Sequence, residues 1–299
     1  MTRLLRCVVE AMRRVAPAWM SQAEGPARVY RMVGKRTAGA LVVLGAMVLD
    51  PGMLHSGAGG APQKRPEARS EAVVQSRFAL ADPTRNVVPQ PNIYAVCSNP
   101  GSVGIWAGTV CTAAEEAAID RARAEEGLGP IQLPRGWAQL SPAEQIFVIT
   151  NIERTDRGLA PFVGLAAELN QEAQVGALHE TDALPSVMSP GILQWASNWA
   201  LAPGPLGADY AWMYQDGWGG SANETFNLAC TGPGARGCWG HRQNVLMRRI
   251  PGARGVLVMG AASAPGPNGW VSLTEVLVQT TQPMKLYYTW AEAVAAGAR

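Results

Sequence analysis

Between Thr37 and Leu49 the chain runs for thirteen residues, TAGALVVLGAMVL, without a charge. Arg31, Lys35 and Arg36 stand just before this run, and the small-residue stretch 56–61 stands after it. A bilayer-spanning helix needs about 20 apolar residues, so the run is short for an anchor. A positive flank, a short apolar core and a small-residue exit have the form of a secretory signal peptide. The segment therefore divides the chain: residues 1–61 are expected as a leader, and whatever folds lies downstream. The region ahead of the run is long for such a peptide, whereas MVGKRTAGALVVLGAMVL, counted from Met32, has ordinary proportions. Translation is expected to start at Met32, with the signal peptide at about 32–61. Membrane contact is expected only through a leader left uncleaved.

Removing the leader changes the charge. The chain has 25 Lys/Arg and 23 Asp/Glu; residues 1–61 hold eight and three of these, leaving 17 against 20, or −3. The apparent basicity sits in the targeting segment, and no basic stripe survives to bind nucleic acid. Cys7 leaves with the leader, so Cys97, Cys111, Cys230 and Cys238 remain. An exported protein can oxidise them. Four cysteines allow three pairings; the sequence-local one, Cys97–Cys111 with Cys230–Cys238, is expected. No Cys/His spacing resembles a zinc site.

Residues 62–93 are rich in Pro, Arg, Gln, Ala and Ser without periodicity and read as a flexible linker. A single folded domain is expected over 94–291, with a tail at 292–299. Thr112 and Glu115 have capping-box spacing, predicting a helix over 113–126 that stops at Gly127. Ser141-Pro-Ala-Glu144 is a second such box with Pro at the first helical position, predicting a helix that ends at Gly158. Residues 165–180 carry Leu165, Leu169, Ala173 and Ala177 at helical spacing. Short helices are expected near 208–215 and from about His241, and strands at 255–260 and 270–278. Helices first and strands last indicate an α+β fold.

Two histidines remain, which excludes a multi-histidine metal centre unless carboxylates complete it. His179 reads as a surface residue. His241 follows Cys238-Trp239-Gly240, where a disulfide and an indole would fix the approach to a helix. On the 270–278 strand, alternation puts Glu275 in one row with Val271, Leu273 and Leu277. A carboxylate in an apolar row lies at an exposed edge or is buried with a partner. Paired with His241, it would tie the imidazole down and raise its basicity. No GxSxG motif, reactive cysteine or glycine-rich phosphate loop is present. Glu153 and Arg157, at i,i+4, read as a helix salt bridge. The Asn223-Glu-Thr225 sequon matters only in a glycosylating host. The stretch 210–218, YAWMYQDGW, reads as packed aromatics, with a groove lining as the alternative.

In order, Asn151-Ile-Glu-Arg154 with Gly158-Leu-Ala-Pro161, Ala196-Ser-Asn-Trp-Ala200, Trp212-Met213 and Gly240-His-Arg-Gln-Asn-Val-Leu246 resemble the blocks of bacterial CAP-superfamily (SCP-like) domains. The likeness spans about 140–280. It implies a CAP-like α–β–α sandwich, usually extracellular, with a central groove that in many members holds a divalent metal on two His and two Glu. Carried over by position, His241 matches the histidine of the Gly-His-Arg block, while Ser197 stands where the family has a glutamate. A cofactor is not expected, and a divalent metal is disfavoured. The candidate groove residues are Ser197, Asn198, Asn244, Trp212 and Trp239, around His241 and Glu275 as tentative catalytic residues. The expected function is a secreted domain that binds an extracellular or cell-wall ligand. The alternatives are a hydrolase with His241 as general base, assisted by Glu275 and oriented by Asn198 or Asn244, and a lipid or sterol carrier.

Overall fold

The computed structural model describes residues 80–97, 108–183, 191–220 and 226–299. The leader, residues 62–79 of the expected linker and the Asn223 sequon lie outside the described residues. In chain order the elements are α1 (Ile93–Cys97), α2 (Thr109–Glu125), α3 (Pro142–Asp156), β1 (Gly164–Ala166), α4 (Ala167–His179) and β2 (Ile192–Ala202). They continue with α5 (Pro205–Tyr214), α6 (Gly240–Val245), β3 (Val256–Pro265), β4 (Val271–Thr280), β5 (Leu286–Thr289) and α7 (Trp290–Ala295). The fold is α+β around a mixed five-stranded sheet of order β2-β4-β3-β1-β5. Only the β1–β3 pair is parallel.

Alternation along the central strands divides the core in two. Leu257, Met259 and Ala261 of β3, with Val271, Leu273 and Leu277 of β4, join the larger cluster, which includes Ile146, Phe147 and Ile149 of α3 and Leu206 and Met213 of α5. Val258 and Ala262 of β3, with Val276 and Val278 of β4, pack instead with Leu169 and Ala173 of α4. Gly260 sits where β3 and α4 touch: a Cβ there would come within 2.2 Å of the Leu169 carbonyl carbon. Helices thus cover both faces, and every residue of β4 is buried.

The second capping box forms as expected. Ser141 Oγ accepts from the Glu144 N–H at 3.4 Å, and Glu144 Oε2 accepts from the Ser141 N–H at 2.7 Å. Gly158 follows the helix at φ +72°. The first box does not form. Helix α2 starts at Thr109, and the Thr112 N–H already bonds to the Gly108 carbonyl, so Thr112 is inside the first turn. Glu115, its supposed partner, is buried instead. The periodic run from Leu165 also begins differently: Leu165 pairs with Met259 as strand, and the helix starts at Ala167.

Two boundaries move outward. Leu80 and Val87, in the expected linker, pack on the core, and the Val87 N–H bonds to the Tyr214 carbonyl at 2.8 Å. Residues 292–299, expected as a tail, continue the fold through α7. A Thr289–Glu292 capping box starts that helix, Ala293 and Ala298 are buried, and Arg299 and Gln132 exchange two backbone hydrogen bonds. Both expected disulfides, Cys97–Cys111 and Cys230–Cys238, are present. Among the described residues no helix is long and apolar enough to cross a membrane.

Candidate functional site

Helix α6 has six residues, too few to hold together alone. Side chains from three other segments fix it. Asp216, just past the end of α5, turns its carboxylate onto the helix N-terminus: Oδ2 accepts from the His241 N–H at 2.7 Å and from the Arg242 N–H at 3.4 Å. These are donors that a helix start leaves unsatisfied. Asn198 of β2 donates to the His241 carbonyl at 3.0 Å, and Arg154 of α3 donates to the Val245 carbonyl at 2.5 Å. The approach to the helix is equally constrained. Trp239 sits at φ +63°, its N–H bonds to the Asp216 carbonyl at 2.8 Å, and its indole lies flush on Gly217, where a Cβ would come within 2.2 Å of the ring.

The same carboxylate that caps the helix grips the imidazole. Asp216 Oδ1 lies 2.6 Å from His241 Nδ1, and Asp182 Oδ1 lies 3.4 Å from Nε2. Asn227 braces Asp216 by donating to its Oδ1 at 2.8 Å and to its carbonyl at 2.9 Å. The His241 side chain is 25% exposed, Asp216 1% and Asp182 41%. Burial opposes the imidazolium, but the Asp216 charge and the hydrogen bonds that both aspartates accept from the ring outweigh it. The pKa is held well above the ordinary histidine value.

Glu275 occupies a different place from the one expected. It is fully buried in the row with Leu273 and Leu277, and its cross-strand neighbour in β2 is Asn198. Thr150 of α3 donates to Oε2 at 2.8 Å, and Asn198 Nδ2 donates to Oε1 at 2.8 Å. It is linked to His241 through the Asn198 amide, which also bonds to the His241 backbone. The carboxylate paired with the imidazole is Asp216, because the α6 backbone, and not the His241 ring, faces Asn198. Burial pushes Glu275 up to about 7, opposed by its two hydrogen bonds and by Arg154.

The other expected groove residues divide by burial. Asn244 Nδ2 donates to Asn198 Oδ1 at 2.9 Å and to the Ser197 carbonyl at 3.1 Å, and it keeps some exposure. Ser197 is buried and donates to the Ala183 carbonyl at 2.7 Å. Trp212 and Trp239 are 1% and 6% exposed. They are buried and are not a surface open to ligand. Tyr210 and Tyr214 are buried too, so the 210–214 aromatics are core. His179 is exposed, as expected.

Asp216 and Asp182 escaped the sequence reading. Asp216 is the sole charge in YAWMYQDGW, and a lone carboxylate among packed aromatics was a legible sign of a buried partner. Nothing local joins it to a histidine 25 positions later. Set beside family profiles, curated proteins and solved structures, the chain matches none.

Proposed function

We propose that this chain is an exported domain of CAP-like α–β–α architecture that binds a cell-envelope ligand at the surface around His241. The order of the 151–161, 196–200, 212–213 and 240–246 blocks and the helices on both sheet faces support the architecture. The disulfides fit an oxidising compartment. The observation that carries the binding reading is that both ring nitrogens of His241 already face carboxylates. An imidazole kept protonated is a poor general base near neutral pH. It is a fixed cation framed by acceptors, with Asp182 and Asn244 at the solvent side.

Among the described residues no donor set for the divalent metal of the family surrounds His241. Ser197 offers a hydroxyl already spent on the Ala183 carbonyl. Among the described residues one group of acidic, cysteine and histidine side chains is close enough to hold an ion, Cys97, Cys111 and Glu115, and its sulfurs form a disulfide.

A second reading, a hydrolase, draws on one geometric fact. A buried aspartate on Nδ1 and an outward Nε2 are the arrangement of an aspartate–histidine base, once Asp182 moves away. The test is co-sedimentation of the full chain with purified cell-wall material, alongside peptidoglycan and peptide hydrolysis assays. The binding reading expects retention that falls at least tenfold in His241→Ala, with no turnover. Turnover that disappears in His241→Ala would overturn it in favour of the hydrolase.

A further inference from the structure

A second surface, apart from His241, has its own chemistry. Residues 80–299 hold 13 Lys/Arg against 18 Asp/Glu, an excess of five acidic charges. Four of its arginines, Arg123, Arg154, Arg157 and Arg242, are buried. The loop between α6 and β3 reverses this sign, placing Arg248, Arg249 and Arg254 at the surface within seven positions. The sequence on both sides of this loop, residues 226–274, contains no Asp or Glu. Among the described residues none of these three guanidinium groups has a carboxylate partner.

The loop is anchored. Gln194 of β2 donates to the Arg248 carbonyl at 2.6 Å, the Ile250 N–H bonds to Gln279 of β4 at 2.8 Å, and Arg249 closes the loop onto the Gly255 carbonyl. Its neighbours are aliphatic and open to solvent: Leu193 is 37%, Ile250 38% and Val256 46% exposed. A Cβ at Gly255 would come within 3.4 Å of Leu193, so Leu193 sits beside the end of the loop.

We propose that this face docks on an anionic phospholipid bilayer. Arginines without a carboxylate partner supply attraction to the head groups, and Ile250 between them, with Leu193 and Val256 beside the loop, supplies the apolar contact that a bilayer interface rewards. A soluble acidic polymer would use the arginines and leave Leu193, Ile250 and Val256 without a role. The proposal does not rest on the His241 reading.

The test compares variants of the full chain, so the contribution of the leader cancels. Sedimentation is measured with phosphatidylcholine vesicles and with vesicles of phosphatidylcholine mixed with phosphatidylglycerol, and binding to inorganic polyphosphate is measured in parallel. Each basic residue at an anionic surface is worth about fivefold, so R248E/R249E/R254E should lose on the order of a hundredfold in affinity for the anionic vesicles. Affinity for neutral vesicles should hold. Ile250→Asn should weaken anionic-vesicle binding several-fold and leave polyphosphate binding unchanged. Anionic-vesicle affinity left unchanged by the triple substitution would overturn the proposal. So would arginine-dependent binding indifferent to Ile250, which would assign the face to an acidic polymer. Circular dichroism of each variant confirms that these surface changes leave the fold intact.

Discussion

Two carboxylates buried in the same core, Glu153 and Glu275, are handled in opposite ways. Glu153 of α3 lies between Arg123 at 3.0 Å and Arg157, with the Tyr214 hydroxyl donating to it at 3.0 Å. Burial works against its charge, but the two guanidinium groups prevail and its pKa is lowered. Glu275 of β4 is equally buried and receives only neutral donors directly, and it is pushed up to about 7. Residue type and burial are therefore not what sets the charge; the immediate partners are. The Glu153 cluster is a fixed ionic joint between α2, α3 and α5. The Glu275 network, its carboxyl pushed up by burial, is a scaffold that positions Asn198, and through it α6.

The contrast is most easily broken at Glu153. Glu153→Ala leaves two arginines buried without their shared counter-charge, and should cost about 3–5 kcal/mol in a denaturant melt. At Glu275 the expected effect is smaller and depends on pH. Its folded pKa lies above the unfolded value, so the folded state holds the extra proton, and stability falls as pH rises from about 4.5 to about 7. Glu275→Gln keeps an acceptor for Asn198 without a charge. It should remove roughly 2–3 kcal/mol of that pH dependence, seen as a smaller difference in melting between pH 5 and pH 8. Cys230→Ala opens the loop that leads into Trp239 and Asn227, and should cost about 2–3 kcal/mol by thermal melting. Asp182→Asn, at the exposed side of His241, should change stability by less than about 0.5 kcal/mol and lower the pKa of the ring.

What could be read ahead of the structure was local. Ser141, Pro142, Glu144 and Gly158 define α3 because caps and stops act within a turn. The β4 row containing Glu275 follows from alternation alone, and the short disulfide loops from spacing. Thr112 and Glu115 misled because the same spacing occurs inside a helix whose start lies further upstream. Strand β2 is legible as a motif and not as a strand, since its tryptophans and alanines lack clear alternation. The Thr289–Glu292 box went unread although its spacing is equally plain. The clamp on His241 depends on chain segments near 182, 216 and 227, which only the tertiary fold brings together.

The most direct test of this account is the NMR titration of the His241 ring in the full chain. The clamp predicts that the imidazole stays protonated well above pH 6.5, and that Asp216→Asn brings its titration back toward the ordinary range. A ring that loses its proton at or below pH 6.5 would contradict it, and would return His241 to the role of a free base.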